Sequence, residues 1–294
     1  MVEYWSGEQT DLDERDRAAL DRRNRAGLTL TVLGATSPYP GPGEACPGYL
    51  IEGFGTRILL ECGSGVLSRL HQYCDFIAID AIILSHLHFD HCSDLLVLRY
   101  ALDAAARSGR LLAPVPVYCP DEPAEVAGLV GYKEALLAVP IRPMVGGPTP
   151  PGTPSGELPV SVTIGGLAAS FIPVKHPVET YGLVLRPDKA PAVGSLFFYT
   201  GDTEWIEDLP KRVGRCEIVL AEATYAAKQA PLGPVFGHLT IGQAARLGGM
   251  TEARSVILTH HPTGRRPETV RAEARRALAR PIIVATEGFQ LQWP

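Results

Sequence analysis

The chain has 294 residues, of which 46% are hydrophobic and 20% charged, a composition typical of a globular protein large enough to bury a core. Its net charge of -5 gives no broad electrostatic footprint for nucleic acid, although a local basic patch stays open. The charged N-terminus lacks the apolar region of a signal peptide, and no apolar run approaches the roughly 20 residues of a membrane span, so we expect a cytoplasmic protein. The six cysteines are scattered without a CxxC pair, which favours buried, reduced side chains over a cysteine-based zinc site.

Residues 1–27 form a charged N-terminal extension rich in Arg, Asp and Glu. A short surface helix is predicted from about Asp11 to Arg25. We interpret the extension as a mobile or loosely docked arm, with an oligomer contact or a lid as the alternative. Residues 28–294 are expected to form one domain, because no repeat or natural linker interrupts them.

From Leu28 onward, segments with strand patterns alternate with segments of helical spacing. The predicted strands are LTLTVLGA (28–35), GYLIEGF (48–54), TRILLEC (56–62), IDAIILSH (79–86), VPVYCP (115–120), a pair in 160–176, TYGLVLRP (180–187), SLFFYTGD (195–202), EIVLAEAT (217–224), SVILTHH (255–261) and one or two in 281–293. The predicted helices cover residues 66–74, 94–108, 123–139, 241–249 and 268–279. A loop rich in proline and glycine is predicted over 140–158. This alternation favours two central sheets covered by helices, an α/β sandwich.

Seven of the eight histidines fall in four short clusters, each at the end of a predicted strand or in the loop just beyond it. Binding and catalytic groups concentrate at such positions on a rigid scaffold. The densest cluster has three imidazoles and a carboxylate within six residues: His86, His88, Asp90 and His91. Four polar groups so close together would need many partners if buried, and a divalent metal satisfies them jointly, since imidazole and carboxylate are both good zinc ligands.

This cluster resembles the HxHxDH signature of the metallo-β-lactamase superfamily, and the other motifs keep that family's order over about residues 28–294. ILLECGSG (58–65) resembles the family's strand-and-turn motif, with Glu61 where an aspartate is usual, which leaves the role of Glu61 open. VKHP, YTGDT and ILTHH match further metal-binding positions at His176, Asp202 and His260. The resemblance implies an α/β fold of the four-layer αββα sandwich type and a metallo-hydrolase domain over residues 28–294.

The resemblance also implies two divalent metal ions, with zinc expected and manganese or iron as alternatives, and a bridging hydroxide as the nucleophile. Asp90 would in addition orient or deprotonate the water. His261 should point away from its neighbour in a strand and is interpreted as structural. The implied metal ligands are His86, His88 and His176 for one ion, Asp90, His91 and His260 for the other, and Asp202 as the bridge.

Two segments, Glu-Ala-Thr-Tyr at 222–225 and Gly-His-Leu-Thr at 237–240, resemble elements of the ribonuclease Z-like branch of this superfamily. In that branch the histidine, paired with the glutamate, stands over the metals and stabilises the phosphorane or protonates the leaving oxygen. The resemblance therefore implies catalytic roles for His238 and Glu222. The members that process transfer RNA carry an RNA-binding arm between the residues equivalent to His176 and Asp202, which are only 26 positions apart here. That spacing has room for a hairpin only, so the chain looks like the arm-less phosphodiesterases of the branch, such as the bacterial cyclic-nucleotide group.

The predicted function is hydrolysis of a small cyclic or linear nucleotide-type phosphodiester. No stable nucleic-acid partner and no membrane contact are expected, and a homodimer is left open. The main alternative is an acyl hydrolase acting on a lactone, thioester or β-lactam, which is disfavoured because a carbonyl substrate does not need the Glu222–His238 pair. A ribonuclease, a metal-binding scaffold without catalysis and a di-iron redox protein are the remaining alternatives.

The loops that select the substrate are expected among residues 37–48, 99–140 and 147–157. Two tyrosines in or near the site, Tyr39 and Tyr225, are interpreted as packing residues. Stacking of either ring on a nucleobase is the alternative.

Overall fold

The computed structural model describes residues 14–145, 161–189 and 195–294. The strands in these residues are β1 (Leu28–Gly34), β2 (Thr36–Ser37), β3 (Gly48–Gly53), β4 (Thr56–Leu60), β5 (Ala81–Ile83), β6 (Val115–Cys119), β7 (Leu136–Pro140), β8 (Ser161–Ile164), β9 (Leu167–Pro173), β10 (Tyr181–Pro187), β11 (Ser195–Tyr199), β12 (Cys216–Glu222), β13 (Ser255–Thr259), β14 (His261–Pro262), β15 (Ile282–Val284) and β16 (Gln290–Trp293). The α-helices are α1 (Glu14–Asn24), α2 (Val66–Leu70), α3 (Phe89–Cys92), α4 (Leu95–Arg107), α5 (Ala124–Val130), α6 (Arg142–Val145), α7 (Leu209–Val213), α8 (Gly233–Phe236), α9 (Ile241–Met250) and α10 (Pro267–Ala277). Two 3₁₀ helices cover Phe76–Ala78 and Ala227–Leu232.

Two large sheets contain most of these strands. The first has the order β16-β1-β3-β4-β5-β6-β7 and the second the order β15-β13-β12-β11-β10-β9-β8. In each sheet one half is antiparallel and the other parallel: β4 to β7 run parallel in the first, and β11, β12, β13 and β15 in the second. A short parallel pair of β2 and β14 joins Thr36 to His261.

The hydrophobic core lies between the two sheets and is dominated by large rings and branched side chains. Buried residues that meet there include Tyr49, Ile58, Phe171, Phe197 and Tyr199. A second cluster packs α2, α4 and α5 on the outer face of the first sheet, and a third packs α7, α9 and α10 on the outer face of the second. The layers therefore run helix, sheet, sheet, helix, which confirms the predicted αββα sandwich.

The parallel strands determine where the polar clusters meet. The chain leaves β5 into His86, β11 into Asp202, β12 into Thr224 and β13 into His260. Ligand sites in α/β sheets form outside the carboxyl ends of such strands, because their loops share one edge. Distant parts of the sequence therefore deliver their polar side chains to the same edge of the sandwich.

The N-terminal helix differs from the expected mobile or loosely docked arm. Arg22 Nε lies 2.5 Å from Glu52 Oε2, and Arg57 Nε donates to Glu52 Oε1 at 3.0 Å. Glu52 is fully buried, and Ala19 on the same helix is 4% exposed. Removing one partner from such a buried ion pair typically costs about 3–5 kcal/mol, because it leaves a buried charge unpaired. Helix α1 is therefore docked on the first sheet; residues 11–13 of the predicted helix lie outside the described residues.

The helix predicted over 123–139 is wrong in its second half. Helix α5 ends at Val130, and Leu136–Pro140 form β7, which pairs in parallel with β6 through contacts such as Val117 with Ala138. A short apolar run has no decisive period, so its pairing with an existing sheet edge determines its structure. The segment between Gly131 and Ala135 makes the turn between them.

The remaining predicted elements agree in type with the structure, although their ends shift by a few residues. The hairpin expected between His176 and Asp202 is present: β10 pairs antiparallel with β11, from Leu183 opposite Tyr199 to Leu185 opposite Phe197. Most of the predicted loop over 140–158, including residues 147–157, lies outside the described residues. Six short strands and α-helices of the described residues were not predicted from the sequence, all of them five residues or shorter: β2, α3, α6, α7, α8 and β14.

The cysteines and the helices complete the description. All six cysteines are buried and free, as the scattered pattern predicts. None of the helices among the described residues has the length and apolar character that crossing a membrane requires.

Candidate metal centre

Three imidazoles converge beside the loop that follows β5, and we call His86, His88 and His176 the neutral group. His86 Nε2 lies 3.0 Å and His176 Nε2 3.1 Å from His88 Nδ1. His176 Nδ1 donates to the Gly237 carbonyl oxygen at 2.9 Å, which leaves the lone pair of its neutral ring on Nε2. Zinc–nitrogen bonds of about 2.0–2.1 Å place the ligands of a tetrahedral site about 3.3 Å apart, close to these separations. The neutral group could therefore hold one metal ion.

A second set of side chains lies next to it, and we call Asp90, His91 and His260 the acidic group. His260 Nε2 is 3.5 Å and His91 Nε2 3.7 Å from Asp90 Oδ2. Asp90 and His91 belong to the short helix α3, whereas His260 follows β13 with a left-handed backbone at φ 57°. These three residues also form a set that could hold a metal ion.

Asp202 lies between the two groups. Its Oδ2 atom is 3.1 Å from His260 Nε2, 3.5 Å from His91 Nε2 and 3.8 Å from His86 Nε2. One carboxylate oxygen thus approaches a nitrogen of the neutral group and two of the acidic group. The structure brings together all seven side chains that sequence analysis named as metal ligands, in the predicted grouping; their role as ligands remains a prediction.

Unpartnered buried atoms test whether these residues fit a cation. Among the described residues, His91 Nδ1 and Nε2, His260 Nε2 and Asp202 Oδ1 are buried side-chain atoms without a hydrogen-bond partner. Such atoms are rare, since leaving one unsatisfied costs roughly 1–3 kcal/mol. Four of the nine such atoms in the described residues lie together in this cluster, and their nitrogen and oxygen donors fit a divalent cation.

The electrostatics of the acidic group favour a cation. Burial opposes the charged form of Asp90, but the charge of His91 and the nearby ring of His260 outweigh it and lower the pKa of Asp90 to about 2. Burial likewise opposes ionisation of Asp202, and His260 and His91 outweigh it, so its pKa lies well below the ordinary value. Both carboxylates are therefore charged at neutral pH.

In the neutral group burial is the leading influence. It lowers the pKa of His86 well below the ordinary value and also lowers the pKa of His88 and His176. All three rings are neutral at pH 7, the form in which imidazole binds metals.

Glu61 is a buried acid beside the metal-ligand cluster. Its side chain is fully buried, with a left-handed backbone at φ 61°. The Ser85 backbone N–H donates to the two carboxylate oxygens at 3.2 and 3.3 Å, and Glu61 Oε1 lies 3.4 Å from His91 Nδ1. Glu61 therefore holds the loop of His86 by hydrogen bonds and places its carboxylate next to the ring of His91, although it is one carbon longer than the usual aspartate.

Glu222 and His238 form the second predicted pair. His238 Nδ1 lies 3.1 Å from Glu222 Oε1, and its ring centroid is 5.1 Å from that of His176 and 5.4 Å from that of His260. Burial opposes protonation of His238, but the hydrogen bond and charge of Glu222 outweigh it and raise the pKa to about 9. The pair therefore stands at the edge of both groups, with Nδ1 of His238 committed to Glu222.

Glu222 also holds the surrounding loops. It is fully buried, and Oε1 accepts the backbone N–H groups of Thr203 and Leu239, both at 3.0 Å. Oε2 accepts the Thr224 backbone N–H at 3.2 Å and the Thr224 hydroxyl at 2.7 Å. One carboxylate thus ties together the loops after β11 and β12 and the loop before α9.

Three other residues to which the sequence gave a possible role lie in three different environments: His261, Tyr39 and Tyr225. His261 is buried outside the cluster and donates from Nε2 to the Leu258 carbonyl at 2.9 Å, in keeping with a structural role. Tyr39 is 63% exposed, so it is not a packing residue. Tyr225 presents its ring at right angles to His238, with 5.6 Å between centroids. Ser85, Thr224 and the Gly237 carbonyl had no role predicted from the sequence, although all three residues stood inside quoted segments.

Comparison with known proteins agrees with this fold. Residues 56–261 match the family described as the Beta-lactamase superfamily domain. The chain belongs to this superfamily and is a metallo-hydrolase. Membership of this class implies that the protein binds divalent metal ions. The family predicted from the HxHxDH cluster is thereby confirmed.

Individual relatives cover nearly the whole chain. The probable metallo-hydrolase YhfI of Bacillus subtilis is 26% identical over 262 residues, 89% of this chain and 98% of that protein. Its crystal structure matches with a TM-score of 0.78 at 25% identity, over 91% of this chain and 100% of that one. A ribonuclease Z of Bradyrhizobium diazoefficiens is 25% identical over 310 residues, 88% of this chain and 97% of that protein. The crystal structure of a diphosphatase of the PhnP family shares the fold, with a TM-score of 0.65 at 19% identity over 91% of this chain and 98% of that one.

Proposed function

We propose that this metallo-hydrolase is a zinc-dependent phosphodiesterase that acts on small cyclic or linear nucleotide-type substrates. The observation that carries the proposal is the Glu222–His238 pair, 3.1 Å apart, at the edge of the metal-ligand cluster. Phosphodiester cleavage expels an alkoxide and gathers negative charge on the phosphoryl oxygens, and an oriented imidazole answers both needs. The names of the relatives, ribonuclease Z and a PhnP-family diphosphatase, support phosphoester chemistry.

The proposed centre holds two cations. The neutral group would hold one, the acidic group the other, and Asp202 would contact both. When bound, divalent cations lower the pKa of water towards neutrality and supply a nucleophile at physiological pH. The mixed imidazole and carboxylate donors favour zinc; manganese and iron accept the same donors and remain alternatives.

The chain's own residues would then position the attacking water and protonate the leaving oxygen. Asp90 Oδ2, 3.5 Å from His260 Nε2, is placed to orient the attacking water and accept its proton. His238 would donate from Nε2 to the leaving oxygen, because its Nδ1 is committed to Glu222. Glu222 would keep that ring in one orientation through its own hydrogen bonds to the backbone N–H groups of Thr203 and Leu239.

A small substrate is favoured over RNA by two observations. The segment between His176 and Asp202 is occupied by the β10–β11 hairpin, which leaves no room for an RNA-binding arm. The net charge of -5 gives no broad attraction for a polyanion. Cytoplasmic location and a homodimer remain predictions.

The test is hydrolysis of bis(p-nitrophenyl) phosphate and cyclic AMP by the purified protein with Zn²⁺ or Mn²⁺. We expect His238→Ala to lower kcat by roughly 10²–10⁴-fold, the range of general acid–base assistance. His71→Ala is the matched control and should retain wild-type rates, since His71 is exposed and its ring contacts Phe76 outside the cluster.

Three outcomes would overturn the proposal. An unchanged rate in His238→Ala would remove its mechanistic basis. Turnover of a lactone without turnover of a phosphodiester would favour the acyl hydrolase. Cleavage of RNA with steep salt dependence, in the absence of activity on small diesters, would favour the ribonuclease.

A further inference from the structure

A single hydroxyl links the Glu222–His238 pair to a metal-ligand histidine. Thr224 Oγ1 lies 2.7 Å from Glu222 Oε2 and 2.8 Å from His260 Nδ1. Thr224 is buried, at 9% exposure, and both of its partners are buried as well. Its hydroxyl therefore bridges two groups to which sequence analysis gave separate roles.

Proton counting determines the direction of these hydrogen bonds. A hydroxyl has one proton, and the carboxylate of Glu222 can only accept it. His260 Nδ1 must then donate to Thr224 Oγ1, which leaves the lone pair of the neutral ring on Nε2. That atom has no hydrogen-bond partner among the described residues and lies 3.1 Å from Asp202 Oδ2 and 3.5 Å from Asp90 Oδ2.

The hydrogen-bond partner of His260 Nδ1 is the Thr224 hydroxyl. His260 has a left-handed φ of 57°, a conformation that non-glycine residues adopt when the surroundings impose it. Metal-ligating histidines generally donate their other ring N–H to an oxygen that fixes tautomer and orientation, and in this chain the hydroxyl of Thr224 supplies that oxygen.

We infer that Thr224 is a positioning residue that sets the tautomer and orientation of His260 and links the acidic group to the Glu222–His238 pair. This inference rests on the two-metal centre of the proposed function. It predicts that loss of the hydroxyl weakens one metal position while the hydrogen bond between Glu222 and His238 stays intact. The backbone N–H of Thr224, which also donates to Glu222, is present in every variant.

The test compares Thr224→Val, which keeps the shape and removes the hydroxyl, with Thr224→Ser, which keeps the hydroxyl. Zn²⁺ binding is measured by competition with a chromophoric chelator, and the Co²⁺-loaded proteins are compared by their visible absorption spectra. We expect the affinity for one of the two Zn²⁺ ions to fall by roughly 10- to 100-fold in Thr224→Val, the usual cost of losing such a contact. The Co²⁺ spectrum should change as well. Thr224→Ser should restore the wild-type Zn²⁺ affinity and the wild-type Co²⁺ spectrum. If valine prevents folding, Thr224→Ala removes the same hydroxyl with a smaller side chain.

The outcomes separate the two proposals. Wild-type affinities for Zn²⁺ and an unchanged Co²⁺ spectrum in Thr224→Val would overturn the role of Thr224 and leave the phosphodiesterase proposal standing. An equal loss in the serine and valine variants would also overturn it, because the hydroxyl would not be responsible. Wild-type protein that binds no Zn²⁺ and hydrolyses no phosphodiester would overturn both.

Discussion

The neutral and acidic groups sit side by side but differ in charge, exposure and support. Two of the three rings of the neutral group are partly exposed, and its outer contacts are uncharged: the Ser85 hydroxyl, 2.9 Å from His86 Nδ1, and the Gly237 carbonyl. The acidic group contributes a charged carboxylate and two buried rings. Its rings have buried carboxylates as their outer contacts: His91 lies next to Glu61, and His260 is linked to Glu222 through the Thr224 hydroxyl.

This difference indicates that the two cations would be held by unequal means. Apart from Asp202, which lies between the groups, the ion of the neutral group would meet uncharged imidazole nitrogens, whereas the ion of the acidic group would also meet the carboxylate of Asp90. Electrostatic attraction is stronger where water is excluded. We therefore expect the acidic group to bind its ion more tightly, and its outer contacts to matter more.

The largest expected effect is that of Asp202→Asn, because Asp202 contacts both groups. Loss of its charge should lower hydrolysis of bis(p-nitrophenyl) phosphate by about 10³-fold or more, in the range of losing a main electrostatic stabiliser. Metal content should fall below that of the wild type in the same assay. Asp21→Asn, at a side chain that is 81% exposed, is the matched control and should change neither. Full metal content and activity in Asp202→Asn would show that Asp202 is not a ligand shared by the two metal positions.

A smaller effect is expected for Glu61→Gln, which keeps the size of the side chain and removes its charge beside His91. The affinity of the acidic group for Zn²⁺ should fall by roughly 10- to 100-fold, as for other outer contacts of metal ligands, while the neutral group is unaffected. Chelator competition measures both constants. Glu61→Asp keeps the charge and should lose less; a larger loss in the aspartate variant would mean that side-chain length, not charge, is what His91 requires.

The smallest effect is expected for Ser85→Ala, which removes the uncharged contact of His86. A neutral hydrogen bond contributes about 1 kcal/mol, so Zn²⁺ affinity of the neutral group should fall about fivefold. The same competition assay applies. A loss as large as that of Glu61→Gln would contradict the difference between the groups.

Much of the site was predictable from sequence because its residues are unusual in type and order. His86, His88, Asp90 and His91 lie within six positions, and few packing solutions need so many polar groups together. His176, Asp202 and His260 were identifiable only as members of an ordered set. The contact of Thr224 with His260 and that of the Gly237 carbonyl with His176 were not predictable, because a hydroxyl or a backbone oxygen has no distinctive pattern before the loops meet.

The two errors in the fold have a common cause. Residues 136–140 form a strand because β6 offers them a paired edge, and α1 is docked because Arg22 reaches the buried Glu52, thirty positions away. Both outcomes depend on partners that are distant in sequence. Local composition predicted a helix in the first case and a loose arm in the second, since it reports only on near neighbours.

By itself, the sequence determined the alternation of strands and helices, the layered sandwich and the identity of the side chains at one edge, because periodicity and residue type are local properties. Only the tertiary structure decided that those side chains divide into a neutral and an acidic group with Asp202 between them. It also decided that Glu61 lies beside His91 and that the Thr224 hydroxyl lies between Glu222 and His260. Distances of about 3 Å between residues more than twenty positions apart follow from the packing of two sheets, which no local pattern specifies.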